Sequence, residues 1–517
     1  MFRLTRMVLR FVLVLTVILA VFILIARMIW PLPENRADRS TRHIPASDDT
    51  RLGARFLPDE AAHPGLTGTY PLMEGPDAFV ARIAMIRAAD AALDLRYYIW
   101  HDDLTGMLLL EELRQAAARG VKIRLLLDDN GIPGLDDIFS ALDALPNVEV
   151  RLFNPFVLRK PRMLNYVFDF FRLNRRMHNK SISADGIATL IGGRNIGDIY
   201  FAFGEAHYRD LDVLAVGQGA RDVAEDFDRY WNSDSAYDAA QILAPAPDGL
   251  TQLADRLAAY AGSDEAARYF DLVKSSAVAV GLATGNIVLD WTPAHLVSDD
   301  PAKGLGKARD DQLLVSQLGT LLGEPKSSIA LISAYFVPGD AGTDLLVKAA
   351  AKGLRVTTLT NSQEATDVPL VQSGYIRHRR ELVENGVAVW ELARIGEAPE
   401  DVDFGLMGSS TASLHTKSFA IDGARAFIGS FNFDPRSARL NCEMGFLIES
   451  PRLARLIEDS VSDEVLRRTA YRVTLDGNDR LMWSGPQDTS YDHDPGTSLL
   501  GRALVKIASY LPIAWML

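Results

Sequence analysis

The chain has 517 residues, 48% hydrophobic and 23% charged, a globular composition too long for one small core, so two or more domains are expected. Its net charge of −13 argues against nucleic acid as the main partner, because a polyanion binder presents a basic face. With Cys442 as the only cysteine, disulfides, structural zinc and thiol redox chemistry have no support.

Phe11 to Ala26 (FVLVLTVILAVFILIA) carries no charge and is flanked by Arg10 and Arg27. Its 16 residues span about 24 Å as a helix; snorkelling arginines and Trp30 extend that reach toward the thickness of a bilayer core. Residues 1–30 therefore read as a transmembrane anchor. The alternative, a cleaved signal peptide, lacks a small-residue cleavage site after the run. Arg3, Arg6 and Arg10 precede the span and favour a cytoplasmic N-terminus, with the catalytic part periplasmic. Arg27, Arg36, Arg39 and Arg42 follow it and leave the orientation open. Residues 31–65 read as a polar linker.

Beyond the linker, Leu93–Trp100 reads as a strand, Met107–Arg119 as a helix closed by Gly120, and Val121–Leu127 as a strand, a βαβ unit that predicts a largely parallel, covered sheet. Ile329–Val337, Thr343–Lys352, Gly353 and Leu354–Thr360 repeat the passage. The repeat is in register: 237 residues separate His178 from His415, Lys180 from Lys417, Asp185 from Asp422 and Asn195 from Asn432. A period this long is a duplicated domain, expected to pack about a pseudo-twofold axis. The predicted organisation is a first α/β domain over 66–240, an inter-domain segment over 241–310, a second domain over 311–480 and an amphipathic tail over 481–517.

Both copies carry His-x-Lys-x4-Asp followed by Gly-(Gly/Ser)-x-Asn: MHNKSISADGIATLIGGRN and LHTKSFAIDGARAFIGSFN. His and Lys two apart on a strand share a face, Asp-Gly marks a hairpin, and the returning strand brings Asn back beside them. Phosphoryl chemistry asks for this set. A neutral imidazole attacks phosphorus, a protonated one supplies the leaving group's proton, and lysines and amides hold the charge on the other oxygens. The candidate site is therefore His178, Lys180, Asp185, His415, Lys417 and Asp422, with Asn195 and Asn432 toward substrate. No metal or cofactor is expected, because two lysines supply the positive charge. Asp185 and Asp422 are expected to brace the hairpins and the domain interface.

On these residues, and on YPLMEGPDAF, LRYYIWHDDLTG, VKIRLLLDDN, EVRLFNPF and the terminal LPIAWML, the chain resembles the phospholipase D superfamily. Within it the chain looks like the bacterial cardiolipin synthases, most closely the C-type, over residues 65 to 517. Ala514 departs from the acid expected before the tail tryptophan. The resemblance implies tandem phospholipase-D-like α/β/α sandwich domains and a phosphohistidine, with His178 as nucleophile and His415 as acid. It also implies an acid behind each ring, taken from the same copy: Glu443 for His415, and either Asp210 or Asp212 for His178. The implied reaction passes a phosphatidyl group to phosphatidylglycerol at the bacterial inner membrane, with phosphatidylethanolamine as donor. A phospholipase D using water, or a nuclease of the same fold, are the alternatives, and the need for a protein partner stays open. Between Arg159 and Lys180, basic residues interleaved with Tyr166, Phe168, Phe170 and Phe171 read as a surface for anionic lipid. The tail Leu499–Leu517 reads as an interfacial foot.

Overall fold

The computed structural model describes residues 2–203, 207–284, 287–394 and 412–517. Its strands, in chain order, are β1 (Thr67–Leu72), β2 (Ala92–Ile99), β3 (Lys122–Gly131), β4 (Val148–Phe153), β5 (Ser181–Ala184), β6 (Ala188–Gly192), β7 (His207–Arg209), β8 (Asp212–Gly217), β9 (Ala236–Asp238) and β10 (Asp290–Thr292). The second half adds β11 (Ala294–Ser298), β12 (Ser328–Ser333), β13 (Arg355–Asn361), β14 (Ala388–Leu392), β15 (Ala412–Leu414), β16 (Lys417–Ile421), β17 (Arg425–Gly429), β18 (Met444–Ile448), β19 (Ala470–Leu475), β20 (Leu481–Ser484) and β21 (Ser490–Tyr491).

Two large sheets result, and the duplication is written in their strand order. The first contains β8-β6-β5-β2-β3-β4-β9 and the second β18-β17-β16-β12-β13-β14-β19, the same path traced twice. Within these two sheets, among the described residues, only β2–β3–β4 and β12–β13–β14 are parallel. The motif hairpin β5–β6 lies antiparallel beside β2, and β16–β17 beside β12, so the sheets are mixed where a largely parallel one was expected. The cause is local: an Asp-Gly turn sends the chain straight back, and a hairpin can only pair antiparallel. Both crossover helices stop on a glycine, and the first also starts on a side-chain cap. Leu104–Ala118 is capped by the Asp103 carboxylate accepting from Gly106 N, three residues before the helix read from sequence. Gly120 and Gly353, at φ 93° and 86°, end the two helices in the left-handed region.

The inter-domain segment is not free-standing. β10 adds an edge to the first sheet and β11 to the second, and helices Gly249–Tyr260, Asp264–Ser275 and Ala277–Thr284 cover the first domain. Likewise β20 and β21 extend the second sheet, so the amphipathic tail begins only at Leu499. Between the domains, Ile191, Val213 and Ala215 pack with Ile428, Met444 and Phe446 in one buried apolar cluster. At about 1.5–3 kcal/mol for each large side chain removed from water, this contact holds the two halves together.

Among the described residues no helix is long and apolar enough to cross a membrane, so the anchor expected over residues 1–30 is not shown. The segment forms a helix, Phe2–Ile29. Its end rests on helix Asn165–Leu173: Arg27 Nε donates to Phe168 O at 2.7 Å and Trp30 stacks on Phe168.

The basic run corrects a second expectation. Arg159 and Arg162 pair with Asp129 and Asp136, Arg172 with Asp169, and Arg176, buried, with Asp128. These guanidiniums are neutralised inside the protein and do not present a surface to anionic lipid. Most of the carboxylates come from the end of β3 and the start of the helix after it, Asp136–Asp143, outside the stretch whose charge was counted. What helix Asn165–Leu173 and the turn before it expose is apolar: Met163, Leu164, Val167 and Phe171.

Candidate active site

Each motif histidine is held by the other domain. Met177 bridges to Cys442, and His178 N donates to Cys442 O at 2.8 Å, which sets His178 beside the residue preceding β18. Symmetrically, β15 pairs in parallel with β7, and His415 N donates to Arg209 O at 2.9 Å. The acids follow these pairings. His178 Nδ1 lies 2.8 Å from Glu443 Oε2, and His415 Nδ1 lies 2.5 Å from Asp210 Oδ2. The choice left open between Asp210 and Asp212 is resolved: Asp212 is occupied with Arg82, at 2.9 Å, and with Arg194 N. Glu443 and Asp210 stand behind the rings as the resemblance implies, but crossed: each acid serves the histidine of the other repeat and not that of its own.

A carboxylate at Nδ1 makes that nitrogen the protonated one, which leaves Nε2 of each ring as the nitrogen free to react. Burial, reinforced by Lys180 and Lys417, pushes His178 well below the ordinary histidine value of 6.5; His415 is pushed the same way for the same reasons. Burial raises Glu443 to about 7 and raises Asp210. It also lowers both lysines, Lys180 well below 10.5, while Glu443 and Asp210 pull each of them back up. Lys180 Nζ donates to His178 O at 2.5 Å, and Lys417 Nζ donates to His415 O, so each lysine is folded back beside its own histidine.

Asn195 Oδ1 accepts from Ile99 N and Asn432 Oδ1 from Tyr335 N, which turns both amide nitrogens away from the strands. Asn195 Nδ2 is buried and makes no close hydrogen bond among the described residues, with the Tyr200 hydroxyl as its neighbour, so it is a donor open to a ligand oxygen. His178, Lys180, Asn195, His415, Lys417 and Asn432 are thus brought together.

Asp185 and Asp422 are not part of this cleft. They sit at the far ends of the hairpins at φ 54° and 57°, in the left-handed region. Asp185 accepts from the backbone nitrogens of Asp90, Ala91 and Ala92, and Asp422 from those of Lys326, Ser327 and Ser328. They fasten the loop entering β2 and β12, and neither bridges the domains nor touches the reacting groups.

The two copies solve one problem differently. A Cβ added to Gly193 would come 2.2 Å from Asp210 Oδ1, so this position must be glycine for the short aspartate to reach His415. At the equivalent Ser430 the longer Glu443 leaves room, and the serine hydroxyl donates to it at 2.5 Å. Several residues around the cleft were missed from sequence. Tyr98 stands edge-on to His178, and Tyr200 and Tyr208 lie against His415. Arg436 donates to Asn174 at the end of helix Asn165–Leu173 and to the backbone oxygen of Met516, tying the tail to the second domain beside the site. A signal was present, since Arg436 lies four residues after Asn432, in the same string as the motif.

Among the described residues no group of three or more His, Cys, Asp or Glu side chains is placed to hold a metal ion. A pair of imidazoles, each backed by a carboxylate and flanked by a lysine and an amide donor, defines a two-domain phosphodiester-cleaving site. A family model described as "Cardiolipin synthase, PLD-like domain" matches residues 83–232 and 318–463. Cardiolipin synthase C of Escherichia coli (strain K12) is 46% identical over 475 residues, 90% of this chain and all of that one. An uncharacterised protein of Helicobacter pylori (strain J99) is 30% identical over 90% of this chain and 92% of its own. The crystal structure of phosphatidylserine synthase from Haemophilus influenzae Rd KW20 superposes with TM-score 0.54 at 14% identity, over 90% of this chain and all of that one, a likeness of fold. The chain belongs to the cardiolipin synthases with phospholipase-D-like domains.

Proposed function

We propose that this protein synthesises cardiolipin by moving a phosphatidyl group through a phosphohistidine on His178. His178 Nε2 attacks the donor phosphorus as the bond to the headgroup oxygen breaks, and His415 gives that oxygen its proton. Lys180, Lys417 and the Asn195 and Asn432 amides stabilise the charge on the remaining oxygens. The glycerol hydroxyl of phosphatidylglycerol then loses its proton to His415 and attacks phosphorus, and the phosphorus–nitrogen bond breaks. The observation that carries the reading is the crossed tethering, in which each imidazole is oriented by an acid of the other domain, so that both copies serve one centre.

The reaction needs lipid at the site, and the exposed apolar residues support a bacterial inner-membrane location. Phe11, Leu13, Leu24 and Met28 of the N-terminal helix, Met163 and Phe171 near its contact, and Leu499, Leu500, Leu504 and Ile507 of helix Leu499–Ala508 all stand exposed. The N-terminal helix, by this reading, seats the enzyme in the bilayer.

The test is product analysis on purified full-length enzyme with labelled phosphatidylglycerol vesicles, with and without phosphatidylethanolamine. Cardiolipin as the main product is expected; phosphatidic acid as the main product would make the protein a hydrolase.

A further inference from the structure

The pseudo-twofold is broken in charge on one side of the cleft. Tyr98 and Tyr335 are equivalent residues, 237 apart, Tyr98 within β2 and Tyr335 just beyond the end of the matching strand β12. On the His178 side, Tyr98 Oη is met by the amide of Asn130 at 3.5 Å, whose Oδ1 accepts from the Tyr166 hydroxyl at 3.0 Å. On the His415 side an aspartate occupies the corresponding place. Tyr335 Oη donates to Asp367 Oδ2 at 2.8 Å, and Tyr208 Oη, from the other domain, donates to the same oxygen at 3.3 Å. The Tyr208 ring is stacked on His415 at 5.0 Å between centroids, with Tyr200 at 5.2 Å.

Among the described residues no Lys, Arg or His lies within ion-pair distance of Asp367. Lys417 makes no ion pair with it: its ammonium donates to His415 O, and the Asp367 charge reaches it only through space. A carboxylate beside a cleft that binds a phosphodiester repels the ligand unless the ligand brings its own cation. A carboxylate flanked by two tyrosine hydroxyls forms a setting that holds an alkylammonium.

We propose that Asp367, with Tyr208 and Tyr335, binds the ammonium of an amino-alcohol headgroup and so selects the donor lipid. The inference rests on the phosphatidyl-transfer reading and deepens it. An ammonium two carbons from the bridging oxygen, held at Asp367 beyond the Tyr208 ring, puts that oxygen next to His415. The headgroup leaving from this side takes its proton from His415, and the phosphatidyl group stays on His178. The Asn130 side, without the carboxylate, is left for the uncharged glycerol headgroup of the acceptor. The charge asymmetry thus assigns the roles that the symmetric motif does not.

The test compares two labelled donors, phosphatidylethanolamine and its N-acetyl derivative, each in phosphatidylglycerol vesicles. N-acetylation removes the charge and keeps the scissile bond. Wild type should favour the free amine in kcat/KM by about tenfold, the scale of one charge-assisted hydrogen bond, and Asp367→Asn should erase most of that ratio, chiefly through KM. A wild type indifferent to N-acetylation overturns the proposal whatever the variant does. A variant that keeps the wild-type ratio, or that loses both donors alike, overturns the assignment to Asp367. Wild type that forms phosphatidyl products without discriminating leaves the transfer reading standing; no phosphatidyl product from either donor removes both.

Discussion

At the residue scale the two copies differ where their acids differ in length. Gly193→Ser brings a Cβ to within 2.2 Å of Asp210 and must push that carboxylate off the His415 ring. Misplacement of a general acid by about an ångström costs on the order of a hundredfold in kcat, so that loss is expected in a variant whose circular dichroism and unfolding midpoint stay near wild type. Ser430→Gly removes one hydrogen bond to Glu443 and should cost only severalfold. Acidity follows from the same burial. His178, held below 6.5, must be neutral to attack, so the rate falls as pH drops through its depressed value. His415 must carry the proton it gives to the leaving oxygen and is held below 6.5 by the same burial, so the alkaline limb follows the loss of that proton from the coupled histidine pair. A kcat/KM profile with an acid limb above 6.5 contradicts the buried, neutral nucleophile. The histidines, lysines and asparagines were legible because spacing on a strand and its return dictates a shared face. The crossing of the acids was not, because a pairing between domains leaves no periodicity within either one.

At the level of elements, the motif aspartates illustrate how a conspicuous residue can serve the hairpin and not the chemistry. Asp185 is buried and accepts three backbone nitrogens. Its replacement by alanine strands those donors and should lower stability by roughly 3 kcal/mol, read as a shifted urea midpoint of the first domain. Asp422 is half-buried, and water can replace it, so Asp422→Ala should cost about 1 kcal/mol. Residual activity per folded molecule should be close to wild type in both. A collapse of kcat with stability unchanged would return these aspartates to the cleft. The Arg159–Lys180 stretch taught the opposite lesson. Its composition suggested a basic surface, yet Asp128, Asp129 and Asp136, distant in sequence, meet its guanidiniums. Local charge counting fails where the end of an interior strand and the helix after it deliver the counter-charges.

At the scale of the whole molecule, the exposed apolar elements converge on the site. The N-terminal helix meets helix Asn165–Leu173 through Trp30 and Phe168, and Arg436 joins the end of that helix to the tail. Helix Leu499–Ala508 buries Val505 and Ala508, and turns Leu500, Leu504, Ile507 and then Leu511 outward, a stripe at helical spacing. That stripe was readable from periodicity; the anchoring of the tail's end on Arg436, beside the site, required the fold. Water far outnumbers any lipid hydroxyl, so transfer needs an acceptor concentrated and oriented at the cleft, which a membrane held against this face provides. Replacing Leu500, Leu504 and Ile507 together by serine removes exposed apolar surface without touching the buried contacts. Vesicle binding should weaken, and in the molecules that do bind, the product should shift from cardiolipin toward phosphatidic acid, because a loosely seated cleft admits water at the phosphohistidine. The ratio of the two products, measured at saturating vesicle concentration, separates this role from simple recruitment. An unchanged ratio at restored binding means that the stripe only brings the enzyme to the lipid, and a raised share of phosphatidic acid means that it also decides which nucleophile reaches His178.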